Sequence, residues 1–230
     1  MNQDKKNLTA IILCGGKGER LRPITNDFPK PLIEIKNKPI LHYIIEHLRQ
    51  YGIENYIIAT GYKSVKIEEY MASEFKELDY KIVNSGDTDI LSRVKACIEH
   101  ISTDTILCYG DTISNINIDQ FINFHHDNPE NITISSYPIE IPFGVMTVDE
   151  DNFVKKFEEK PVLNEVMNIG YYYLPNKFRT DMMKQKDLLS YIDFLITNKR
   201  LKCYQHKGIH ITINTISELN YAEDNIEKIF

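Results

Sequence analysis

Three observations predict a doubly wound α/β fold for this chain of 230 residues. Apolar, β-branched runs alternate with segments of helical spacing as far as residue 137. The first run, Leu8 to Cys14, is continuous rather than alternating, as a strand covered on both faces must be. It ends in Gly15-Gly16, where glycine lets the backbone approach a ligand at the carboxyl end of a parallel strand.

The elements follow in order. Pro39 opens a helix with Ile40, Leu41, Ile44, Ile45 and Leu48 on one stripe and Gly52 as its stop. Asn55 to Thr60 is short and β-branched, a second strand. Helical spacing covers Val65 to Phe75 and Leu91 to Ile101, with a brief strand, Lys81 to Val83, between them. Thr105 to Tyr109 is an apolar strand that stops at Gly110-Asp111. A helix over Ile118 to His125 and a strand over Ile132 to Tyr137 complete the regular alternation. Beyond it, Phe143 to Val148 and Asn152 to Phe157 form a hairpin around Asp149-Glu150-Asp151. Gly170 to Leu174 is a tyrosine-rich strand. Tyr171, Tyr172 and Tyr173 alternate across it, so they cannot all face one ligand, and core packing explains them better. A helix over Leu188 to Thr197, strands over Leu201 to His206 and His210 to Ile213, and a helix over Ile216 to Ile229 close the chain. No Pro/Gly/Ser linker interrupts it. The expectation is one α/β domain, 1–230, with an inserted or appended mixed β portion after residue 137.

Composition narrows the function. Hydrophobic residues at 42% and charged residues at 26% exclude a disordered or collagen-like chain. No apolar run approaches the roughly 18 residues of a membrane span, and the start is not that of a signal peptide. Cys14, Cys97, Cys108 and Cys203 lie in apolar segments and read as buried free thiols of a cytoplasmic protein. A net charge of −6 argues against a nucleic-acid partner. Between residues 17 and 38, however, six basic residues (Lys17, Arg20, Arg22, Lys30, Lys36, Lys38) face three acidic ones (Glu19, Asp27, Glu34). That excess suits a small anion such as a nucleotide, or a solvated loop.

The glycine turn excludes two common phosphate motifs. After Gly16-x-Gly18 the third glycine of a dinucleotide fingerprint is missing, so no helix packs tightly there. No Gly-Lys-Ser/Thr ends a P-loop either. Turned amides of Gly15, Gly16 and Gly18 can still hold phosphate oxygens, with Arg20 as a charge-assisted donor. Pro29 and Pro31 hold Lys30 in an extended stretch.

Leu13-Cys14-Gly15-Gly16-x-Gly18-x-Arg20-Leu21-x-Pro23, then Pro29-Lys30-Pro31-Leu32, then Asn37-Lys38-Pro39-Ile40-Leu41, resembles the opening of the sugar-1-phosphate nucleotidyltransferases. The likeness continues through Tyr109-Gly110-Asp111, Phe143-Gly144, Glu159-Lys160-Pro161 and Asn168-x-Gly170. Within that family it is similar to the cytidylyltransferases of glucose 1-phosphate. Their T-G-D is similar to Ser85-Gly86-Asp87, and their G-R-L-K to Ser92-Arg93-Val94-Lys95. The P-L-G-T-A-G-A-L segment usual in thymidylyl- and guanylyltransferases is lacking.

The resemblance implies a Rossmann-like, GT-A-like nucleotidyltransferase fold, a mixed but mostly parallel sheet with a small added β portion. It implies a nucleotide-binding part over 1–137 and an acceptor-binding part over 138–230 of the single domain. It implies transfer of a nucleoside monophosphate from CTP, or another nucleoside triphosphate, to a small phosphorylated acceptor, with Mg²⁺ as cofactor. By family likeness Gly15, Gly16 and Gly18 cradle the triphosphate and Arg20 stabilises the leaving pyrophosphate. Lys30 bridges the reacting phosphates, and Asp111 holds the metal. Leu13, Cys14, Gly110, Ser85, Gly86, Asp87 and Arg93 fall at nucleotide positions, and Gly144, Glu159, Lys160, Asn168 and Gly170 at acceptor positions.

Two departures stand out. The family places a second metal-binding aspartate near the C-terminus, and Asn214 occupies that place in Ile211-Thr212-Ile213-Asn214-Thr215. Its amide oxygen can ligate Mg²⁺ but brings no charge. The family's N-G-G-F-F reads Asn168-Ile169-Gly170-Tyr171-Tyr172, and the insertion that cytidylyltransferases carry before T-G-D is absent. Readings with a non-sugar acceptor such as phosphocholine, with dTTP or GTP as donor, or as a catalytically silent binding module therefore stay open, and so does a homo-oligomer.

Overall fold

The computed structural model describes residue 5 and residues 7–229. Seven strands form the central sheet in the order β12-β8-β11-β6-β1-β4-β5. Four of them, β1 (Thr9–Leu13), β4 (Asn55–Thr60), β5 (Asp79–Asn84) and β6 (Thr105–Tyr109), run parallel. The long β11 (Val162–Leu174) enters antiparallel between β6 and β8 (Ile132–Glu140), and β12 (Leu201–Gln205) lies parallel to β8. Three two-stranded ribbons flank it: β2 (Glu34–Ile35) with β3 (Lys38–Pro39), β9 (Val145–Val148) with β10 (Val154–Glu158), and β7 (Thr112–Ser114) with β13 (His210–Thr212). A mixed, mostly parallel sheet covered on both faces matches the expected fold class.

Alternation of side chains across β1 divides the core in two. On one face Ala10 and Ile12 pack with Cys108, Tyr171 and Tyr173 beneath α1 (Ile40–Gln50), α2 (Ser64–Glu74), α4 (Ile118–His126) and α7 (Ile216–Asn225). On the other, Ile11 packs with Ile57, Leu107 and Tyr172 beneath α3 (Ile90–Ile98), α5 (Arg179–Met183) and α6 (Leu188–Thr197). The three consecutive tyrosines are buried and split between the two faces, as their alternation requires. Side-chain caps start α3, α4, α6 and α7. Asp89, Asn117, Asp187 and Thr215 each accept from a backbone N–H three residues on.

Four expectations are corrected. The strand at Gly170 to Leu174 begins eight residues earlier, at Val162. Its first half carries no sequence signal because it is exposed on both faces and held by backbone pairing to the end of β8. The closing helix ends at Asn225, and a 3₁₀ turn, Ile226–Lys228, follows it. Lys30 starts a 3₁₀ turn, Lys30–Leu32, and the extended residues are Phe28 and Pro29 before it. Cys203 is exposed, unlike Cys14, Cys97 and Cys108, because it lies on the edge strand β12, where its thiol donates to Ser136 Oγ at 3.0 Å. No helix among the described residues is long and apolar enough to cross a membrane.

Candidate active site

Parallel strands end together, and their loops meet over the carboxyl edge of the sheet. The loop after β1 is tied to its neighbours through its backbone. Cys14 N–H donates to Ala59 at 2.7 Å, Gly110 N–H to Leu13 at 3.0 Å, and Tyr62 N–H to Gly15 at 3.2 Å. Gly110 has to be glycine, since a Cβ there would sit 2.5 Å from the Leu13 carbonyl oxygen. Beneath these loops opens a cleft of about 560 Å³. Of the residues assigned from sequence, Leu13, Cys14, Gly15, Gly16, Gly18, Arg20, Lys30, Asp87, Arg93, Gly110, Asp111 and Asn214 line it.

At one end of the cleft four side chains converge from distant parts of the chain. Lys30 is buried, with 8% of its surface exposed. Its Nζ donates to Asp111 Oδ2 at 2.6 Å and to Asn214 Oδ1 at 2.9 Å. Arg20 Nη2 donates to the same Asn214 oxygen at 2.9 Å. Asp111 lies in the turn between β6 and β7, and Asn214 follows β13, the strand paired with β7. The backbone of Asn214 is anchored through its N–H to Glu218 Oε2 at 2.7 Å. Cys14 beneath is fully buried, and burial, with the Asp111 charge second, pushes its thiol far above the ordinary range. It stays a neutral thiol rather than a nucleophile.

A second cluster is organised by Arg93, also buried. Its guanidinium donates to the Thr60 carbonyl, to Ser85 Oγ at 2.8 Å, and to the carbonyls of Gly86 and Thr88 at 3.0 and 3.3 Å. A Cβ on Gly15 would fall 2.1 Å from Arg93 Cζ. Arg93 therefore pins the 85–88 loop against the glycine loop, and Ser85 and Gly86 act through it rather than on the cleft wall. Across the mouth Lys17 Nζ donates to Asp87 Oδ2 at 2.6 Å, and this bond, then the Asp87 charge, raises the lysine's pKa.

The positions that the sequence assigns to the acceptor lie elsewhere. Asn168 Nδ2 donates to Tyr172 OH at 2.6 Å, and Tyr172 OH lies 3.3 Å from Tyr109 OH, a ring that does line the cleft. Gly170, at φ +81°, packs directly under that ring. Gly144, Glu159 and Lys160 sit on the β9–β10 arm, with a Gly144 Cβ position 3.1 Å from the Glu159 carboxylate. None of these five lines the cleft. Lys17, Tyr109, Thr88 and Ile90 line it without having been assigned from sequence. Tyr109 and Lys17 already stood in the matched motif and the basic cluster, while Thr88 and Ile90 carried no signal.

A divalent cation fits this donor set in one way only. Among the described residues no group of three or more His, Cys, Asp or Glu comes together to hold a metal. Asp111 offers one carboxylate and Asn214 one amide oxygen. That is the sparse protein contribution of Mg²⁺ sites in which phosphate oxygens and water complete the shell.

A glycine loop at a strand end, facing two cations and a carboxylate, defines an anion-binding cleft of an α/β protein. Residues 9–199 match the family described as Nucleotidyl transferase, and the chain belongs to that family. It is 31% identical to a Bacillus subtilis protein named a probable glucose-1-phosphate cytidylyltransferase, over 92% of this chain and 93% of the other. It is 33% identical to the D-glycero-alpha-D-manno-heptose 1-phosphate guanylyltransferase of Campylobacter jejuni, over 85% of this chain and 88% of that one. The crystal structure of HddC from Yersinia pseudotuberculosis, also solved with GMP-PN, superposes with a TM-score of 0.74 at 23% identity. That likeness covers 95% of this chain and 99% of HddC, and it establishes the fold.

Proposed function

We propose that this chain is a Mg²⁺-dependent cytidylyltransferase acting on a sugar 1-phosphate, in the synthesis of surface-polysaccharide precursors. The observation that carries the reading is the meeting of Lys30, Arg20, Asp111 and Asn214 beside the glycine loop. Two polyanions have to approach each other, so positioned positive charge supplies most of the catalysis. The glycine-loop amides and Arg20 hold the triphosphate. Lys30 lies between donor and acceptor phosphates and screens their repulsion. An acceptor phosphate oxygen attacks the α-phosphorus in line. The new P–O bond forms as the α–β bridge breaks, and pyrophosphate leaves with the electron pair, stabilised by Arg20. A bound divalent cation would be held by Asp111 and the amide oxygen of Asn214, where it neutralises phosphate charge.

The base reading rests on Ser85-Gly86-Asp87 and Arg93, whose loop borders the same cleft. A panel of CTP, UTP, dTTP and GTP against several phosphorylated acceptors, followed by pyrophosphate release, tests it. CTP is expected to give the highest kcat/KM. A higher value for dTTP or GTP with the best acceptor overturns the base assignment and leaves the reaction class standing. A second reading keeps the chemistry and exchanges the sugar for a smaller phosphorylated compound. It is favoured by Glu159 and Lys160 standing outside the cleft lining and by Ile169, which is buried and presents nothing to an acceptor.

A further inference from the structure

Resting on the nucleotidyltransferase reading, we infer that the centre takes the triphosphate before, and without, a divalent cation, and that the amide at position 214 sets this order. Lys30 and Arg20 each carry a positive charge and Asp111 a negative one, while Asn214 is neutral. The cluster is therefore net positive by one. Counting every charged residue on the cleft wall gives the same balance, Lys17, Arg20, Lys30 and Arg93 against Glu19, Asp87 and Asp111.

A divalent cation arriving alone meets a positive centre whose one carboxylate is already engaged. The Lys30 ammonium stands 2.6 Å from Asp111 Oδ2, in the place a metal would need. A triphosphate arriving alone meets free donors. Of the three N–H groups of Lys30 two are committed, to Asp111 and Asn214, and of the five on Arg20 one is committed, to Asn214. Asn214 makes this possible. A single amide oxygen accepts from both cations at 2.9 Å and holds them side by side without cancelling either charge. An aspartate there would keep both hydrogen bonds, bring the cluster to zero, and add a second hard anionic ligand for a metal. Nucleotide phosphates then draw Lys30 off Asp111, and the carboxylate is released to the incoming cation.

The test compares wild type with Asn214→Asp in two binding measurements, neither of which needs turnover. Calorimetry reads CTP binding in excess EDTA, and electron spin resonance reads Mn²⁺ binding without nucleotide. Wild type is expected to bind CTP in EDTA within roughly tenfold of its affinity with Mg²⁺, and to bind Mn²⁺ alone weakly. One added negative charge a few ångströms from the phosphates should weaken CTP binding in EDTA roughly tenfold and tighten Mn²⁺ binding several-fold. Opposite movements in the two measurements cannot come from a misfolded variant. CTP binding that requires Mg²⁺ in wild type overturns the inference. So does an Asn214→Asp variant that moves neither measurement, or both the same way. If CTP and the other three nucleoside triphosphates bind under no condition, the nucleotidyltransferase reading itself is lost, and the inference with it.

Discussion

Lys30 Nζ and Asp111 Oδ2 lie 2.6 Å apart, although 81 residues separate them in the chain. The lysine side chain is 10% exposed and the aspartate 30%, so the pair is partly shielded at the inner end of the cleft. Each partner holds the other in place. Lys30→Ala removes the cation proposed to bridge the reacting phosphates, and Asp111→Ala removes the one carboxylate of that cluster. Each should lower kcat about a hundredfold or more, the scale of losing one preorganised electrostatic contact. Pyrophosphate release measures it, with circular dichroism as the check on folding. Near-normal turnover in either variant places the chemistry elsewhere.

Arg93 supports a second prediction. Its bonds to Thr60, Ser85, Gly86 and Thr88 span a fork that a lysine cannot reproduce. Arg93→Lys keeps the charge but releases the 85–88 loop. Thermal unfolding should show a loss of about 2 kcal/mol, the cost of leaving buried carbonyls unpaired. KM for CTP should rise roughly tenfold while kcat changes less, because Arg93 bonds to none of Lys30, Arg20, Asp111 and Asn214, the cluster proposed to hold the reacting phosphates. A fall in kcat with unchanged KM would mean that Arg93 touches the phosphates directly.

Much of this site was legible in the sequence because it is made of backbone turns. Gly15, Gly16, Gly18 and Gly110 advertise their geometry by being glycine, and Asp111 by ending an apolar strand. The role of Arg93 was not legible, since nothing in a helical segment says that its guanidinium turns inward to four oxygen partners. Burial of Lys30 was hidden for the same reason: it depends on Asp111 and Asn214, both far away in the chain. The first half of β11 escaped because its residues face solvent on both sides and so show no alternation. The boundary between the proposed nucleotide and acceptor parts has no linker to mark it. β11 inserts between β6 and β8 in one continuous sheet.

His125 should contribute to acid sensitivity, together with His210, whose pKa burial also lowers to about 4. His125 is buried, and its ring stacks on Tyr173 at 3.9 Å. Burial lowers its pKa from the ordinary 6.5 to about 4, against the upward pull of Asp104. The unfolded chain therefore binds the proton more readily between these values. Stability is fully present above about pH 6.5 and is lost as pH falls toward 4, by up to about 3 kcal/mol. Urea midpoints at pH 7 and pH 5 should differ in wild type, and His125→Phe should narrow the gap. An equal gap in both proteins would assign the acid sensitivity to other groups.

Gly170 sits at φ +81°, where a side chain is strained, and a Cβ there would lie 2.5 Å from Tyr109 Cγ. Tyr109 lines the cleft, and its hydroxyl meets Tyr172, which Asn168 holds in turn. Gly170→Ala must therefore push the Tyr109 ring toward the cleft or bend β11 away from β6. The backbone strain alone should cost about 1–3 kcal/mol. If the acceptor binds beside Tyr109, its KM should rise roughly tenfold, while KM for CTP, whose proposed base loop is pinned by Arg93, should move little. Asn168→Ala frees the Tyr172 hydroxyl without the clash and should raise acceptor KM in the same direction by a smaller factor. Steady-state kinetics with each substrate varied in turn separates the two halves. An equal rise in both KM values would show that Tyr109 belongs to the nucleotide side, and that the acceptor enters from the β9–β10 arm.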